Sequence, residues 1–498
     1  MTTDINGTAL AVFIFFFALV TVMGFIAAHW RKPATLAHID EWGLGGRSFG
    51  TWITWFLVGG DFYTAYTVIA VPALVYAVGA YGFFALPYTI IVYPFVFLVM
   101  PVLWKRAKDF GYVTAGDVVH GQYGSRGLEL AVAITGVLAT MPYIALQLVG
   151  MAAVLKALGL HGEVPLAISF IVLALYTYSA GLRAPALIAF VKDIMIYIVV
   201  LTAVAAIPIK LGGYANVFAA AEANFQARGA GSLLLAGNQY VAYATLALGS
   251  ALAAFMYPHT LTGIFASNSG NTIRKNAILL PAYTLLLGLL ALLGYMGHAA
   301  NLTLSSPNDV VPQLFQTLFP SWFAGFAFAA IAIGALVPAA VMSIGAANLF
   351  TRNFWKAYVN PQVSDAGEAK VAKVTSLVVK IGALLVILFL PTQFALDLQL
   401  LGGIWILQTL PALVFGLFTN WFRAPGLLVG WIVGFFGGTY LVWINGLKPL
   451  QAISLGGAPF TVYIGILALI ANIVVAAVVN ALGRASTRDE SLVGRNAE

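Results

Sequence analysis

Cysteine is absent from this sequence, and charged side chains are scarce. Without cysteine the chain has no disulfide, no thiolate metal ligand and no cysteine nucleophile. Charged residues make up 8% of the 498 residues, against about a quarter in a typical soluble domain, whereas hydrophobic residues make up 61%. A soluble protein of this size is therefore excluded, and the composition indicates a membrane protein.

Long polar segments and the motifs of common hydrolases are also lacking. No segment offers room for a soluble catalytic or sensor domain, and we find neither an HExxH motif nor a Ser-His-Asp order. The first residues, Met1 to Thr8, carry Asp4 and no Lys or Arg, so we expect the following apolar run to stay in the mature chain. We therefore expect neither an enzyme nor a metal or cofactor site.

The apolar segments predict an all-α polytopic membrane protein with thirteen spans. Each segment is close to or above the roughly 20 residues that cross about 30 Å of hydrocarbon as a helix. None shows the alternating polarity of a barrel strand. The predicted spans are approximately 9–29, 51–77, 81–104, 127–158, 164–182, 185–209, 240–266, 276–298, 321–350, 371–391, 394–419, 426–445 and 458–482.

The distribution of the 24 Lys and Arg residues predicts the orientation. If the N-terminus lies outside, the inner segments hold most of these residues. The outer segments hold only Lys156, Lys210, Arg228 and Lys448. Because basic residues accumulate on the cytoplasmic side, we expect a bacterial inner-membrane protein with a cytoplasmic C-terminus, and the net charge of +7 does not point to nucleic acid. We interpret Lys380, near the start of a span, as a surface residue whose ammonium reaches water.

Two predicted spans are interrupted by Gly or Pro beside polar side chains. The interruptions read VGGDFYTAYT at residues 58–67 and FMYPHTLTG at residues 255–263. Once the first span is left aside, each opens one of two successive groups of five helices. Interrupted helices at matching positions of two halves are typical of inverted-repeat transporters, although small residues also permit close helix packing. A short amphipathic helix at Ser305 to Pro320 is expected to form an outer lid.

Further motifs occur between about residues 40 and 360. They are Glu41–Ser48, Gly59-Gly60-Asp61, Gln147, Thr177–Arg183, Lys192-Asp193, Pro258-His259 and Thr351–Tyr358. On these motifs the sequence resembles the sodium/solute symporter family, which implies a LeuT-type five-plus-five inverted repeat and alternating access. The resemblance implies a leading helix and loop at 1–50, repeats at 51–210 and 240–419, and two trailing helices with a short tail at 420–498.

Among subfamilies the sequence resembles bacterial monocarboxylate permeases. The segments that carry this are Tyr257-Pro258-His259, Asn276–Tyr295 and Leu336–Ser343. This implies a small organic acid as substrate (lactate, pyruvate, acetate, propionate or alanine), a coupling ion and a lipid environment, with a monomer as the working expectation. We expect the helix breaks to bind the carboxylate. Candidate hydrogen-bonding residues are Tyr63, Tyr66, Thr67, Tyr143, Gln147, Tyr257, His259 and Gln408.

One part of the family pattern is missing. The family's sodium ligands include backbone carbonyls, which match Gly59, Phe62 and Gly334, and two hydroxyl side chains, which match Val337 and Pro338. Neither of the last two offers an oxygen to a hard cation. Ser343 lies six residues beyond Val337, more than a turn and a half away. The family's sodium site is therefore expected to be absent.

Some sodium-independent relatives of the fold that this sequence resembles place a basic side chain beside the sodium site, and this analogy implies Lys192 as the substitute for sodium, with Asp61 and Asp193 as balancing carboxylates. Pro338 has no N–H and leaves the carbonyl of Gly334 without its helical partner. A proton-carrying Lys192 implies proton symport. The alternatives are a structural pair of Lys192 with Asp193, proton handling by His259, sodium coupling through a remodelled site, and, from other classes, a transporter-like sensor or a membrane-embedded enzyme.

Overall fold

The computed structural model describes residues 5–27, 29, 38–60, 64–161, 163–389, 395–455 and 458–495, which form a helical bundle. Its α-helices are α1 (Gly7–Ile26), α2 (Ile39–Leu44), α3 (Thr51–Gly60), α4 (Val71–Val78), α5 (Ala85–Asp109), α6 (Ala115–Tyr123), α7 (Arg126–Ala157), α8 (Glu163–Ala180), α9 (Arg183–Lys210), α10 (Tyr214–Arg228), α11 (Tyr240–Ala254), α12 (Pro258–Ala266), α13 (Gly270–Leu279), α14 (Pro281–Ala299), α15 (Val310–Leu318), α16 (Ser321–Phe350), α17 (Asp365–Phe389), α18 (Ala395–Ile406), α19 (Gly416–Phe418), α20 (Ala424–Ile444) and α21 (Ile464–Arg495). Wider π-helical turns occupy Tyr66–Ala70, Thr351–Val359 and Pro411–Phe415. Tighter 3₁₀ turns occupy Gly45–Arg47, Ala80–Phe84, Gly237–Gln239, Pro307–Asp309 and Leu407–Thr409.

The described helices confirm the all-α polytopic architecture. Eight are long and apolar enough to cross a membrane, and the number rises to ten if each of two bent pairs forms one span. The bent pairs are Gly237–Ala254 with Pro258–Ala266, at 47°, and Ala395–Thr409 with Pro411–Phe418, at 41°. The other three predicted spans also coincide with helices (α3 with α4, α8, and α17). The count of thirteen stays a prediction.

Helix breaks occur at both interruptions predicted from the sequence. On one side α3 ends at Gly60, and a bend at Thr64 precedes the π-helical turn that leads into α4. On the other side α11 ends at Ala254 and α12 begins at Pro258, a residue suited to the first position of a helix. The Thr260 hydroxyl contacts the carbonyls of Ala254, at 2.7 Å, and Tyr257, at 2.9 Å, so it helps to satisfy the broken backbone.

Helix α16 is the most deeply buried of the described spans. Every residue of its most apolar stretch is buried. Alanine and glycine let its neighbours approach closely, as is common between membrane helices. A Cβ on Gly345 would lie only 2.8 Å from the carbonyl carbon of Pro258 and 2.9 Å from the backbone nitrogen of His259. The central helix therefore packs directly against the second break.

A β-hairpin replaces the start of the last predicted span. Strands β1 (Leu450–Leu455) and β2 (Ala458–Tyr463) pair antiparallel, with Leu450 opposite Tyr463, and α21 begins only at Ile464. The prediction that a span begins at residue 458 was wrong because the aromatic and β-branched residues of β2 pair with β1. The backbone nitrogen of Tyr463 also donates to the Thr245 hydroxyl at 3.1 Å.

The close contact at Gly345 predicts a stability effect. Gly345→Ala should lower the thermal unfolding temperature in detergent, because the added methyl meets backbone atoms that cannot move aside. Overpacking of this kind costs about 1–3 kcal/mol. Gly437→Ala on α20 is the control, since a Cβ there would meet nothing within 4 Å. Equal unfolding temperatures for the two variants would contradict the tight contact.

Candidate functional site

A small cavity lies beside the second helix break. Its lining residues are Tyr88, Tyr143, Ala254, Tyr257, His259, Thr260 and Gln399. The rings of Tyr143, Tyr257 and His259 form a triangle with centroid distances of 5.2, 5.4 and 5.3 Å. Three residues predicted from the sequence are thus brought together. The structure adds Tyr88, Thr260 and Gln399, which the sequence did not single out.

Unused hydrogen-bonding capacity faces this region. The Tyr257 hydroxyl donates to the carbonyl of Gln399 at 3.1 Å. Nδ1 of His259 and Oε1 of Gln399 are buried, and within the described ranges neither atom has a hydrogen-bond partner. Buried polar atoms are nearly always paired, so a polar atom left over beside a cavity is a candidate contact for a bound solute.

Gln147 and Thr67 support the first helix break. Oε1 of Gln147 accepts from the backbone nitrogen of Ala65 at 3.0 Å, and its Nε2 donates to the carbonyl of Tyr143 at 3.3 Å. The Thr67 hydroxyl accepts from the backbone nitrogen of Thr64 at 3.1 Å and donates to its carbonyl at 2.9 Å. Both predicted residues are therefore engaged in holding the backbone next to the site.

The remaining predicted substrate residues have different positions. The buried ring of Tyr66 stands 6.1 Å from that of Tyr88 and approaches it edge-on. Tyr63 lies outside the described residues. Gln408 does not line the cavity, because its helix face points toward α21, where Nδ2 of Asn472 donates to Oε1 of Gln408 at 3.2 Å. The prediction that Gln408 binds substrate has no support in this geometry.

Lys192 reaches the end of the first broken helix. Its Nζ donates to the carbonyl of Gly60 at 2.6 Å and stands 3.1 Å from Oδ1 of Asp193, and both side chains are fully buried. The Tyr283 hydroxyl donates to Oδ2 of Asp193 at 2.6 Å. The structure therefore joins α3, α9 and α14 through one ammonium and one carboxylate.

Two residues of this group were missed at the sequence level. Gly60 supplies the carbonyl that Lys192 uses, and it belonged to the quoted Gly-Gly-Asp motif. Tyr283 lay within the quoted segment 276–295. Its ring also packs against Gly59 so closely that a Cβ on Gly59 would lie 2.2 Å from a ring carbon. The predicted Asp61 and Phe62 lie outside the described residues.

On α16, the positions that would carry sodium-binding hydroxyls hold buried apolar side chains. Val337 is 3% exposed, and Pro338 lies inside the continuous helix, one turn after Gly334. Ser343 points elsewhere, because its hydroxyl accepts a hydrogen bond from the Ser376 hydroxyl of α17 at 3.1 Å. In the described structure, Ser343 therefore does not replace the missing hydroxyls.

Lys380 is buried, contrary to the prediction of a surface lysine. Its side chain is 2% exposed, and Nζ donates to the Ser376 hydroxyl at 2.9 Å. Ser376 and Lys380 are one helical turn apart on the face of α17 that packs against the bundle. The ammonium therefore turns toward α16 instead of extending to the membrane surface.

The pair of Lys192 and Asp193 predicts coupled stability effects. Asp193→Asn should destabilise the protein by about 3–5 kcal/mol, because the substitution leaves a buried ammonium without its adjacent carboxylate. The double variant Lys192→Met/Asp193→Asn should recover much of that loss, since both charges are gone. Thermal unfolding of the two single variants and the double variant forms the measurement. Strictly additive shifts would show that the two charges do not interact.

Comparison with known proteins agrees with this architecture. The sodium:solute symporter family profile matches residues 42–434. A Rhizobium johnstonii protein named monocarboxylate transport permease protein is 88% identical over 97% of this chain and 98% of its own length. The Bacillus subtilis uncharacterized symporter YodF is 33% identical over 88% of each chain. A solved Na⁺-coupled sialic acid symporter shares the fold, with a TM-score of 0.77, 15% identity and coverage of 96% of this chain and 98% of that one. The chain therefore belongs to the sodium:solute symporter family.

Proposed function

We propose that this symporter takes up short-chain monocarboxylates together with protons by alternating access. The observation that carries the proposal is the Lys192 ammonium on the Gly60 carbonyl, at the break of the first core helix. The ammonium of Lys192, which is covalently attached, occupies the region in which family members bind a sodium ion that can leave. Lactate, pyruvate, acetate and propionate are the proposed substrates, with alanine as a further candidate.

The cavity favours a small acid. Among the described residues that line it, none is Lys or Arg, so an anion would be held by dipoles and neutral donors. The N-terminus of α12 opens beside it, since His259 and Thr260 are both lining residues. Helix N-termini favour carboxylates through free N–H groups and the helix dipole. The name of the Rhizobium johnstonii relative supports the same substrate class.

The chemistry of the ion region supports proton coupling. Val337 and Pro338 supply no side-chain oxygen, and a hard cation needs several oxygen ligands. Lys192 can change charge only by gaining or losing a proton. A carboxylate, Asp193, lies next to it and balances the charged form. We infer that one proton on this group accompanies each transport step, with Asp61 and His259 as the other candidate proton carriers.

The proposed cycle uses two five-helix repeats, at 51–210 and 240–419, with a leading helix before them and two trailing helices after them. The N-terminus is proposed to lie outside a bacterial inner membrane. Two ion pairs connect elements that the proposed cycle would separate: Lys156 with Asp309 at 2.7 Å, next to α15, and Arg183 with Glu41 at 2.6 Å, next to α2. Alternating access would require these contacts to break in turn.

Sodium coupling is the second candidate. One solved protein with this fold is a Na⁺-coupled sialic acid symporter, and the matching family is described as a sodium:solute symporter family. In that case the coupling ion would bind at ligands other than Val337 and Pro338, and the Lys192–Asp193 pair would be structural. Uptake experiments distinguish these two candidates directly.

Uptake of labelled lactate into proteoliposomes should follow a pH gradient. We expect accumulation with an acidic exterior when choline replaces sodium, and collapse of that accumulation on addition of a protonophore. Unlabelled pyruvate and acetate should compete, whereas succinate and glucose should not, because the cavity is small and its described lining residues include no Lys or Arg to balance a second carboxylate.

Two controls complete the experiment. Protein-free liposomes measure the passive entry of lactic acid, and an imposed sodium gradient at equal pH tests the second candidate. Accumulation that needs sodium and ignores the pH gradient would refute proton symport. Efficient proline transport without competition by lactate would refute the substrate class.

Substitutions of Lys192 test its role separately. Lys192→Ala should abolish proton-driven accumulation, while exchange of internal for external lactate persists, since exchange does not require the empty carrier to return. Lys192→Arg should also fail to accumulate lactate, because a guanidinium does not release its proton in a protein. Near-normal accumulation by Lys192→Arg would remove Lys192 from the proton path.

A further inference from the structure

A second buried lysine lies away from the proposed transport site. Lys192 and Lys380 are the two lysines that the described structure buries almost completely. Nζ of Lys380 donates to the Ser376 hydroxyl at 2.9 Å and stands 3.4 Å from the Ser376 carbonyl. Intramembrane charges are costly and usually functional, so this position calls for an explanation.

A chain of hydroxyl groups connects Lys380 to α16. The Ser376 hydroxyl donates to the Ser343 hydroxyl at 3.1 Å, and the Ser343 hydroxyl donates to the Ala340 carbonyl at 2.8 Å. The Ser376 hydroxyl accepts from the Lys380 ammonium and donates to Ser343, whose hydroxyl in turn donates to a carbonyl of α16. This order of donors fits a protonated Lys380, and such chains polarise one another cooperatively.

The charged groups on the surrounding helices do not pair with Lys380. The elements packed against α17 are α2, α7, α8, α16 and the turn at Thr351–Val359. Their titratable groups, with those of α17 itself, are Asp40, Glu41, Arg126, Glu129, Tyr143, Lys156, Glu163, Tyr176, Tyr178, Arg352, Lys356, Tyr358, Asp365, Glu368, Lys370 and Lys373. Helix α16 contributes none. Among the described side chains, no carboxylate oxygen lies within 4.0 Å of Nζ of Lys380.

Lys380 does not line either of the two cavities described next to α16. The cavity at the second break is lined by Tyr143 and His259, and a neighbouring one toward α6 is lined by Gly345 and Asn348. Neither includes Lys380. The described polar contacts of this buried amine are the hydroxyl and carbonyl oxygens of Ser376, so the species that it can exchange there is a proton.

We propose that Lys380 is a proton-binding positioning residue of the transport cycle, which acts on α16 through Ser376 and Ser343. Nζ takes one proton from water in one half of the cycle and returns it in the other. Its charge state changes the hydrogen bonds on Ala340, five residues before the glycine that packs against the second break. The proposal deepens proton symport and rests on it for its role in coupling.

The test compares Lys380→Met with Lys373→Met, a control on the same helix whose half-buried ammonium lies 5.6 Å from the Tyr178 ring. Lactate exchange is measured in proteoliposomes at equal internal and external pH, between about pH 5 and pH 8, without sodium. The wild-type protein and Lys373→Met should share one pH profile. Lys380→Met should flatten that profile or shift its midpoint by at least about tenfold in proton concentration.

Ser376→Ala provides a variant that keeps the lysine. It should move the profile to lower pH by about tenfold in proton concentration, because a charged donor loses an acceptor of ordinary strength. Thermal unfolding of the same purified proteins across this pH range provides a readout that needs no substrate. Lys380→Met should change the slope of unfolding temperature against pH, Ser376→Ala should move that pH dependence to lower pH, and Lys373→Met should leave it as in the wild-type protein.

The outcomes separate this inference from the proposed function. The role of Lys380 would be overturned if the exchange rates of Lys380→Met and Ser376→Ala differed from wild type by the same factor at every pH, without a shift of the pH profile. Parallel curves of unfolding temperature against pH would accompany that result. If Lys380→Met does not fold, Ser376→Ala and Ser343→Ala decide by the same criterion. Accumulation driven by sodium alone would refute proton symport and leave the pH profile of exchange to be judged independently.

Discussion

Inside a bilayer a peptide group has no water to bond, so every interruption of a membrane helix must be satisfied by the protein itself. At the first break Gln147 and Thr67 bond to the backbone of Thr64 and Ala65, and the Lys192 ammonium takes the carbonyl of Gly60. At the second break the Thr260 hydroxyl donates to the backbone carbonyl of Ala254. At the same break, among the described residues, Nδ1 of His259 and Oε1 of Gln399 keep no hydrogen-bond partner.

This requirement also explains why the central helix is made of small residues. A break can be held rigidly only if a neighbouring helix lies against it, and Gly345 brings α16 to the backbone of Pro258 and His259. The same helix receives the hydroxyl chain from Lys380 on another face, at Ser343. A shift of α16 would therefore change both the break and the environment of that lysine. Helix α16 thus contacts both the second break and the hydroxyl chain that leads to Lys380.

The sequence predicts the breaks well because glycine and proline act on their own backbone. It predicts side-chain partners poorly where both faces of a helix are apolar. On α17 the buried Val379 and the exposed Val378 are equally hydrophobic, so periodicity did not show which way Lys380 points. Ser376, one helical turn before Lys380, was the sequence feature that could have indicated the buried face of α17. The contact of Gln408 was not predictable for a related reason, since its partner Asn472 belongs to a trailing helix whose position no local pattern fixes.

Under the proposed function, the side-chain ammonium of Lys192 takes the place of a bound cation, which alters what the ion region can do. A sodium ion can leave its ligands and carry its charge into the cytoplasm. The ammonium of Lys192 is tied to α9, and the hydrogen bond to Gly60 joins it to the broken helix α3. The region can then change its charge only by exchanging a proton, and each change weakens or strengthens the bond to the helix break and the attraction to Asp193. Under the proposed function, proton coupling follows from the covalent attachment of the cation, because the same bond that replaces sodium coordination is the one that a proton controls.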